Sequence, residues 1–174
     1  MKSRTRARGV ALQVLYELDV AQHPIGRVLK ERITAATLDE SLTPFIRKIV
    51  LGVWPLVSQL DAYIAEHAPE WPLDDVAVID RNIIRLALWE FAVDGETPLK
   101  VAINEAVELA KAYGSDSASR FVNGVLGSLA DRQNELKQAL QTLETSDASD
   151  TSDTSDTSDT SDTSDTSDIL NLTT

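Results

Sequence analysis

The chain has 174 residues, of which 43% are hydrophobic and 25% charged, and this is ordinary for a globular protein of one domain or two very small ones. It contains no cysteine, which excludes disulfides, thiolate metal sites and cysteine nucleophiles. No apolar run follows the basic N-terminus as in a signal peptide, and none is long enough to cross a bilayer, so we expect a cytoplasmic protein. The net charge of −12 is unevenly distributed along the chain.

Helical spacing of apolar residues runs through the first half of the chain, and no segment with alternating apolar and polar residues competes with it. Prolines mark the ends of these segments, because proline removes a backbone donor and clashes with the preceding turn. The helices predicted in this half are residues 4–21, residues 25–36, and a stretch from Thr43 to His67 that kinks or breaks at Pro55.

The second half of the chain begins with a predicted helix over residues 76–93 that is apolar on more than one side, as is typical of a central helix. Asp94-Gly95 breaks it. Thr97 and Pro98 form a cap and first-position pair for the next helix, and Gly114 stands where a C-terminal glycine is common. A last helix is expected to open at Ser115 or Asp116.

The C-terminal segment differs sharply in composition. Residues 145–168 are eight triplets of the form Thr-Ser-Asp, with Ala148 replacing one threonine, and they contain eight aspartates and no basic residue. Subtracting these eight from 28 acidic residues leaves 20 against 16 basic, a net charge of −4. We therefore expect an all-α domain over residues 1–144, made of two small helical bundles sharing a core, and a disordered acidic tail over residues 145–174.

Signatures of an enzyme are missing from the sequence. His23 and His67 form no spaced ligand set, and no phosphate-binding glycine loop or serine elbow is present. The acidic pair Asp74-Asp75 is better explained as a helix start, where carboxylates favour the helix dipole. The sequence predicts no catalytic residue, no metal and no cofactor.

The N-terminus carries a basic arm, with Lys2, Arg4, Arg6 and Arg8 preceding any acidic residue. Spacing at i+4 predicts that the arm continues into the first helix as one face, made of Arg4, Arg8, Leu12 and Tyr16. Guanidinium groups match phosphate oxygens and are always charged, so the arm could bind a nucleic-acid backbone. A solvated terminus explains the same residues equally well. A domain at −4 is not a general nucleic-acid binder, so such binding requires a local basic patch.

A second candidate site is the loop from Tyr113 to Ser117, followed by Arg120 and Phe121. Bases of single-stranded RNA stack on aromatic rings and hydrogen-bond to nearby polar groups, which this loop offers. From spacing alone, core packing of the two rings and a helix cap are the better explanation. Asn123-Gly124, within the last predicted helix, indicates close backbone packing.

Three blocks, in this order and spacing, resemble the NusB family of bacterial transcription antitermination factors. They read DRNIIRLALWEF at residues 80–91, PLKVAINEAVELAK at residues 98–111 and FVNGVL at residues 121–126. Residues 6–16 are similar to the family's first helix, so the resemblance covers residues 3–132 and leaves only the tail outside it.

The resemblance implies an all-helical protein that binds the short single-stranded boxA element of ribosomal RNA leaders. It implies that binding occurs with a small-subunit ribosomal protein, NusE, in a complex with other Nus factors on RNA polymerase. By position, Tyr16 and Asp80 would face the ribosomal protein. The residues that would face RNA are Arg4, Arg6, Arg8, Tyr113, Ser117, Arg120 and Phe121.

Ser117 departs from the family, which often has a carboxylate there, and a neutral residue removes a repulsion from phosphate. Two alternatives to an antitermination factor remain open. One is the RNA-binding module of a ribosomal RNA methyltransferase, which we do not expect because the chain continues into triplet repeats. The other is a protein-only adaptor that has lost RNA binding. The tail is expected to be a solvated extension, although its carboxylates could compete with RNA for the basic arm.

Overall fold

The computed structural model describes residues 2–132, 134, 135 and 138, and it confirms the all-α prediction, since none of these residues lies in a strand. The predicted tail, residues 145–174, lies outside the described residues. No helix in the described part is long and apolar enough to cross a membrane. The α-helices within residues 2–132 are α1 (Ser3–Ala21), α2 (Ile25–Ala35), α3 (Thr43–Val53), α4 (Val57–His67), α5 (Val78–Leu88), α6 (Leu99–Tyr113) and α7 (Ala118–Ala130).

The first three helices form one group around α1, which packs against α2 and α3 and also reaches α5 and α6. Small residues let the other helices approach α1 closely, and the stretch from Ala7 to Leu12 is buried throughout. Pro55 interrupts the chain as predicted, in a short 3₁₀ turn (Trp54–Leu56) between α3 and α4. One continuous apolar core joins this group to the rest of the molecule.

The second group is arranged around α5, which packs against α4, α6 and α7 and also touches α1. The predicted helix over residues 76–93 is divided: after α5 the chain widens into a π-helical turn (Trp89–Asp94) that Gly95 ends with a φ of 70°. The Trp89 indole in that turn lies directly on Gly52 of α3, where a Cβ would overlap the ring. The π-helical turn thus packs against the first group.

Charged residues of α5 join the two groups. The Arg85 guanidinium donates to Asp61 of α4 at 2.7 Å and to Asp19 of α1 at 2.8 Å. Asn82 donates to the same Asp19 oxygen at 3.0 Å. Burial is the largest single influence on Asp19 and tends to raise its pKa, but the charge of Arg85 and the hydrogen bonds from Arg85, Asn82 and Arg81 together outweigh it and hold that pKa below its ordinary value. The ion pairs with Asp61 and Asp19 thus offset the free-energy cost of burying the Arg85 charge.

Of the two predictions for the ends of α6, the one for the C-terminus is confirmed, since Gly114 is the C-cap residue, and the one for the N-terminus was wrong. Thr97 does not cap the helix, because its hydroxyl donates to Glu90 at 3.1 Å and Pro98 occupies the cap position. Gly114 has extended backbone (φ −90°, ψ −174°), so no left-handed conformation requires it. Glycine is needed at this position because there is no room for a side chain: a Cβ would lie 2.8 Å from the Ala110 carbonyl oxygen and 2.9 Å from Asp80 Oδ1.

The last helix also differs from its prediction. It begins at Ala118, after a turn, and not at Ser115 or Asp116. Gly124 does not mark close packing: it is exposed, and a Cβ at this position would have a Trp71 ring carbon, 3.9 Å away, as its nearest neighbour. Asn123 is exposed beside it, so the prediction of close backbone packing at this pair was wrong.

Candidate nucleic-acid interface

The basic arm folds into the first turns of α1, and its arginines separate according to the face they occupy. Arg4 and Arg6 are exposed. The Arg4 guanidinium lies 5.3 Å from the centroid of the Phe45 ring, a cation–π contact that orders it without neutralising its charge. Arg6 forms no ion pair with any residue that the structure describes, so its charge is available to a ligand.

Arg8 is not part of this surface, and its assignment to RNA is corrected. Its side chain is 4% exposed, and it forks onto Glu90, with Nε donating at 2.9 Å and Nη2 at 2.8 Å. Nη1 donates to Glu105 at 3.1 Å. The predicted continuous face through Arg8 and Leu12 to Tyr16 is therefore interrupted, because both Arg8 and Leu12 are buried.

Arg6 and Tyr113 share a cleft of about 450 Å³ between α1, α2 and the end of α6, which we call the basic cleft. The Tyr113 ring lies on Gly9, where a Cβ would collide with its hydroxyl, and Gln13 donates to that hydroxyl at 3.3 Å. The ring is thus held in place while remaining 37% exposed. An ordered aromatic face beside an unpaired guanidinium is suited to a base and its phosphate.

Ser117 and Phe121 line a different groove, of about 290 Å³, together with Asp80 of α5 and with Trp71, which lies between α4 and α5. The Trp71 and Phe121 rings meet edge to face, with centroids 6.3 Å apart. Three carboxylates border this groove, because Glu70 and Asp75 line it as well as Asp80. The turn from Tyr113 to Phe121 therefore does not present one surface: Tyr113 faces the basic cleft, and Ser117 and Phe121 face an acidic groove.

Asp80 is the most deeply buried of the three carboxylates, with 7% of its surface exposed and no hydrogen-bond partner for Oδ1 in the described part of the chain. Burial raises its pKa above the ordinary value. The folded protein thus holds this proton more tightly than the unfolded chain, so the wild type gains stability as pH falls through the raised pKa.

We accordingly expect Asp80→Asn to raise the free energy of unfolding at neutral pH, because the charged form is the one that burial penalises. The gain should shrink as the pH approaches about 4, the value typical of an unfolded aspartate. Urea unfolding at several pH values measures this difference. Asp116→Asn, at an exposed carboxylate of the nearby turn, is the matched control. A gain that is the same at every pH would contradict the prediction.

Tyr16 and Arg120 are both exposed. Tyr16 lies beside Ile79 and Tyr113 in a shallow cleft that continues from the basic one, and 42% of its surface is accessible. Arg120 forms no ion pair within the described residues. Tyr16 thus stands next to the cleft of Arg6 and Tyr113, while Asp80 lies in the acidic groove.

Sequence reasoning missed two residues of these clefts. Arg32 of α2 lines the basic cleft with Arg6, and Trp71 forms a wall of the acidic groove. A lone arginine on an amphipathic helix gives no signal, since most such residues are solvated. Trp71 is a large ring in the proline-bounded segment between α4 and α5, where the sequence predicts an apolar anchor but gives no sign of a groove.

Both histidines contact neighbouring side chains in ways that indicate a structural role. His23 donates to Glu17 at 2.9 Å, and His67 stacks on Tyr63 with ring centroids 3.8 Å apart. Among the residues that the structure describes, no group of three histidine, aspartate or glutamate side chains could hold a metal ion.

The structure combines an all-helical scaffold with a basic cleft and a separate acidic groove. This combination is typical of a protein that binds other macromolecules.

Comparison with known proteins identifies the family. Residues 5–131 match the model of the NusB family. The chain is 48% identical over 134 residues to the transcription antitermination protein NusB of Roseiflexus castenholzii, covering 76% of this chain and 94% of the relative. NusB from T. maritima superposes with a TM-score of 0.64 at 27% identity, covering 79% of this chain and 92% of that one.

A crystal structure of the antitermination factors NusB and NusE in complex with double-stranded RNA is also similar. Its TM-score is 0.66 at 25% identity, covering 80% of this chain and 98% of that one. The chain belongs to the NusB family of transcription antitermination proteins. This membership confirms the prediction of a transcription factor rather than an enzyme.

Proposed function

We propose that this antitermination factor binds boxA-type single-stranded RNA of ribosomal RNA transcripts together with the ribosomal protein NusE, in the cytoplasm, within a complex on RNA polymerase. The observation that carries the proposal is the cleft in which an unpaired Arg6 stands beside an ordered, exposed Tyr113 ring. Such a cleft offers one group for a phosphate and one for a base.

The similar NusB that was crystallised with NusE and double-stranded RNA supports both kinds of partner. The local character of the cleft also fits the charge of the domain, which at −4 outside the triplets leaves no room for a broad basic surface. RNA affinity of the isolated chain is therefore modest, and the ribosomal protein supplies the remaining contacts.

The two partners divide the surface. RNA follows Arg4, Arg6 and Tyr113, with Arg120 exposed on α7, while the ribosomal protein covers Tyr16 and the acidic groove around Asp80. Ser117 and Phe121 border that groove, so they lie at the boundary between the two partners. We assign the binding functions to the predicted domain, residues 1–144, and none of them to the predicted tail, residues 145–174.

Replacing Ser117 by aspartate should weaken RNA binding several-fold at low salt, because a fourth carboxylate would join Glu70, Asp75 and Asp80 around one groove. Fluorescence anisotropy with a labelled boxA-like strand measures the change. Ser115→Asp places the same charge two residues away and should have the smaller effect. Unchanged or higher RNA affinity of S117D would contradict the prediction.

The function is tested by a pull-down in which the immobilised chain captures purified NusE with and without a boxA-like RNA. We expect capture of the ribosomal protein in both cases and of a ternary complex when single-stranded RNA is added. A duplex of the same sequence should compete poorly. Capture of the ribosomal protein with no retention of RNA would overturn the proposal and favour a protein-only adaptor.

A further inference from the structure

The wall of the basic cleft that faces α1 is formed by α2. Arg32 and Ala35 of α2 line the cleft together with Arg6 and Val10 of α1, and Leu38, which follows α2, lines it as well. The cleft is thus lined by two cations and by apolar side chains, and its volume of about 450 Å³ lies in the range of small-molecule sites. A nucleotide combines the same two features, a charged phosphate and an aromatic base.

We infer that Arg32 is a second phosphate-binding residue and that the cleft between α1 and α2 holds one nucleotide of single-stranded RNA. This inference rests on the proposed RNA-binding function and adds α2 to the RNA surface. Arg6 and Arg32 lie on different helices and line the same cleft as the Tyr113 ring. A base stacked on Tyr113 would place its flanking phosphates toward these two guanidinium groups.

Arg32 is held in position by one carboxylate oxygen. Its Nε and Nη2 donate to Glu17 Oε2 at 2.9 and 2.7 Å, while the other Glu17 oxygen accepts from His23 at 2.9 Å. Hydrogen bonds from His23 and Arg32 lower the pKa of Glu17, which keeps this anchor charged. A guanidinium has five N–H donors in a fixed fork, so an anchor that uses two of them leaves others for a phosphate.

Arg27 provides a matched control on the same helix. It is exposed and pairs with Glu31 at 3.1 Å, as Arg32 pairs with Glu17. It lines a separate depression on the outer side of α2 and not the cleft of Arg6 and Tyr113. Loss of Arg27 therefore changes net charge and breaks one ion pair, as loss of Arg32 does, without touching the cleft.

The experiment is a salt series of RNA titrations on the full chain in the presence of NusE, with a short labelled boxA-like strand. One phosphate contact on a single strand contributes about 0.7 to the slope of log affinity against log salt. We expect Arg32→Ala to reduce that slope by about 0.7 and to lower affinity about fivefold near 0.1 M salt. R27A should stay within about twofold of wild type with an unchanged slope, since it removes no phosphate contact.

Glu17→Gln separates a phosphate contact from a purely structural role, because it weakens the anchor but keeps the charge of Arg32. We expect E17Q to retain the wild-type slope. If R32A and E17Q lost affinity alike with an unchanged slope, Arg32 would only support α2, and the inference would be wrong. It would also be wrong if R32A weakened the binding of NusE and not of RNA, since Arg32 would then belong to the protein surface.

Failure of the inference is distinguishable from failure of the proposed function. If wild type binds RNA and R6A weakens it while R32A behaves as R27A, only the assignment of Arg32 falls. If wild type and NusE together retain no RNA at low salt, the proposed function fails and the inference fails with it.

Discussion

Replacing Arg8 by alanine should lower the free energy of unfolding by about 3–5 kcal/mol, the range found when one partner of a buried ion pair is removed. Glu90 is 1% exposed and accepts three hydrogen bonds from the Arg8 guanidinium, so among the described residues alanine would leave its carboxylate with only the Thr97 hydroxyl as a donor. The change would also remove the hydrogen bond that Arg8 donates to Glu105.

Urea unfolding followed by circular dichroism measures this loss. The control is Arg6→Ala, two residues away on the same helix, which should alter stability by no more than about 0.5 kcal/mol because Arg6 is exposed. A second variant, Glu90→Gln, should also destabilise, since it removes the charge that the Arg8 fork satisfies. If R8A unfolded at the same urea concentration as R6A, the buried ion pair would not have the importance assigned to it.

Replacing Arg4 and Arg6 together by alanine should lower RNA affinity by about 20-fold near 0.1 M salt. The estimate follows from two phosphate contacts on a single strand, each adding about 0.7 to the salt slope. Both side chains are exposed, and neither forms an ion pair with a described residue, so their loss should leave the fold intact.

Titration across a salt series measures both the affinity and the slope. The control is Arg27→Ala with Lys30→Ala, which removes the same charge from the outer side of α2. We expect the control to bind within about threefold of wild type, because distant charges are largely screened at this salt. If both double variants weakened binding equally, net charge and not the arm would determine affinity.

Arg6 is exposed and Arg8 is buried, and this difference shows what the periodic spacing of residues could and could not predict. The helix and its apolar residues were predictable from spacing, and the ordered blocks identified the family. Spacing at i+4 grouped Arg8 with Arg4 and Tyr16, but it contains no information about Glu90, 82 residues away. A hint was present in Glu90 itself, a carboxylate in a segment apolar on several sides, which requires a buried partner.

The division of the Tyr113–Phe121 turn was also beyond sequence reasoning. Tyr113 ends α6 beside Gly9, whereas Ser117 and Phe121 face Trp71 across a different groove. Gly114 lies between them with extended backbone, where a Cβ would overlap the Ala118 Cβ and come within 2.9 Å of Asp80 Oδ1. These contacts are tertiary, so local propensity could not predict them.

The basic cleft and the acidic groove lie on one small domain, so the central claim is that RNA and the ribosomal protein bind together and strengthen each other. The most direct measurement is the affinity of the full chain for a boxA-like single strand, by anisotropy, with and without saturating NusE at fixed salt. We predict at least about a fivefold increase in RNA affinity when NusE is present, the lower end of typical coupling between sites. Equal RNA affinity with and without the ribosomal protein would contradict the claim.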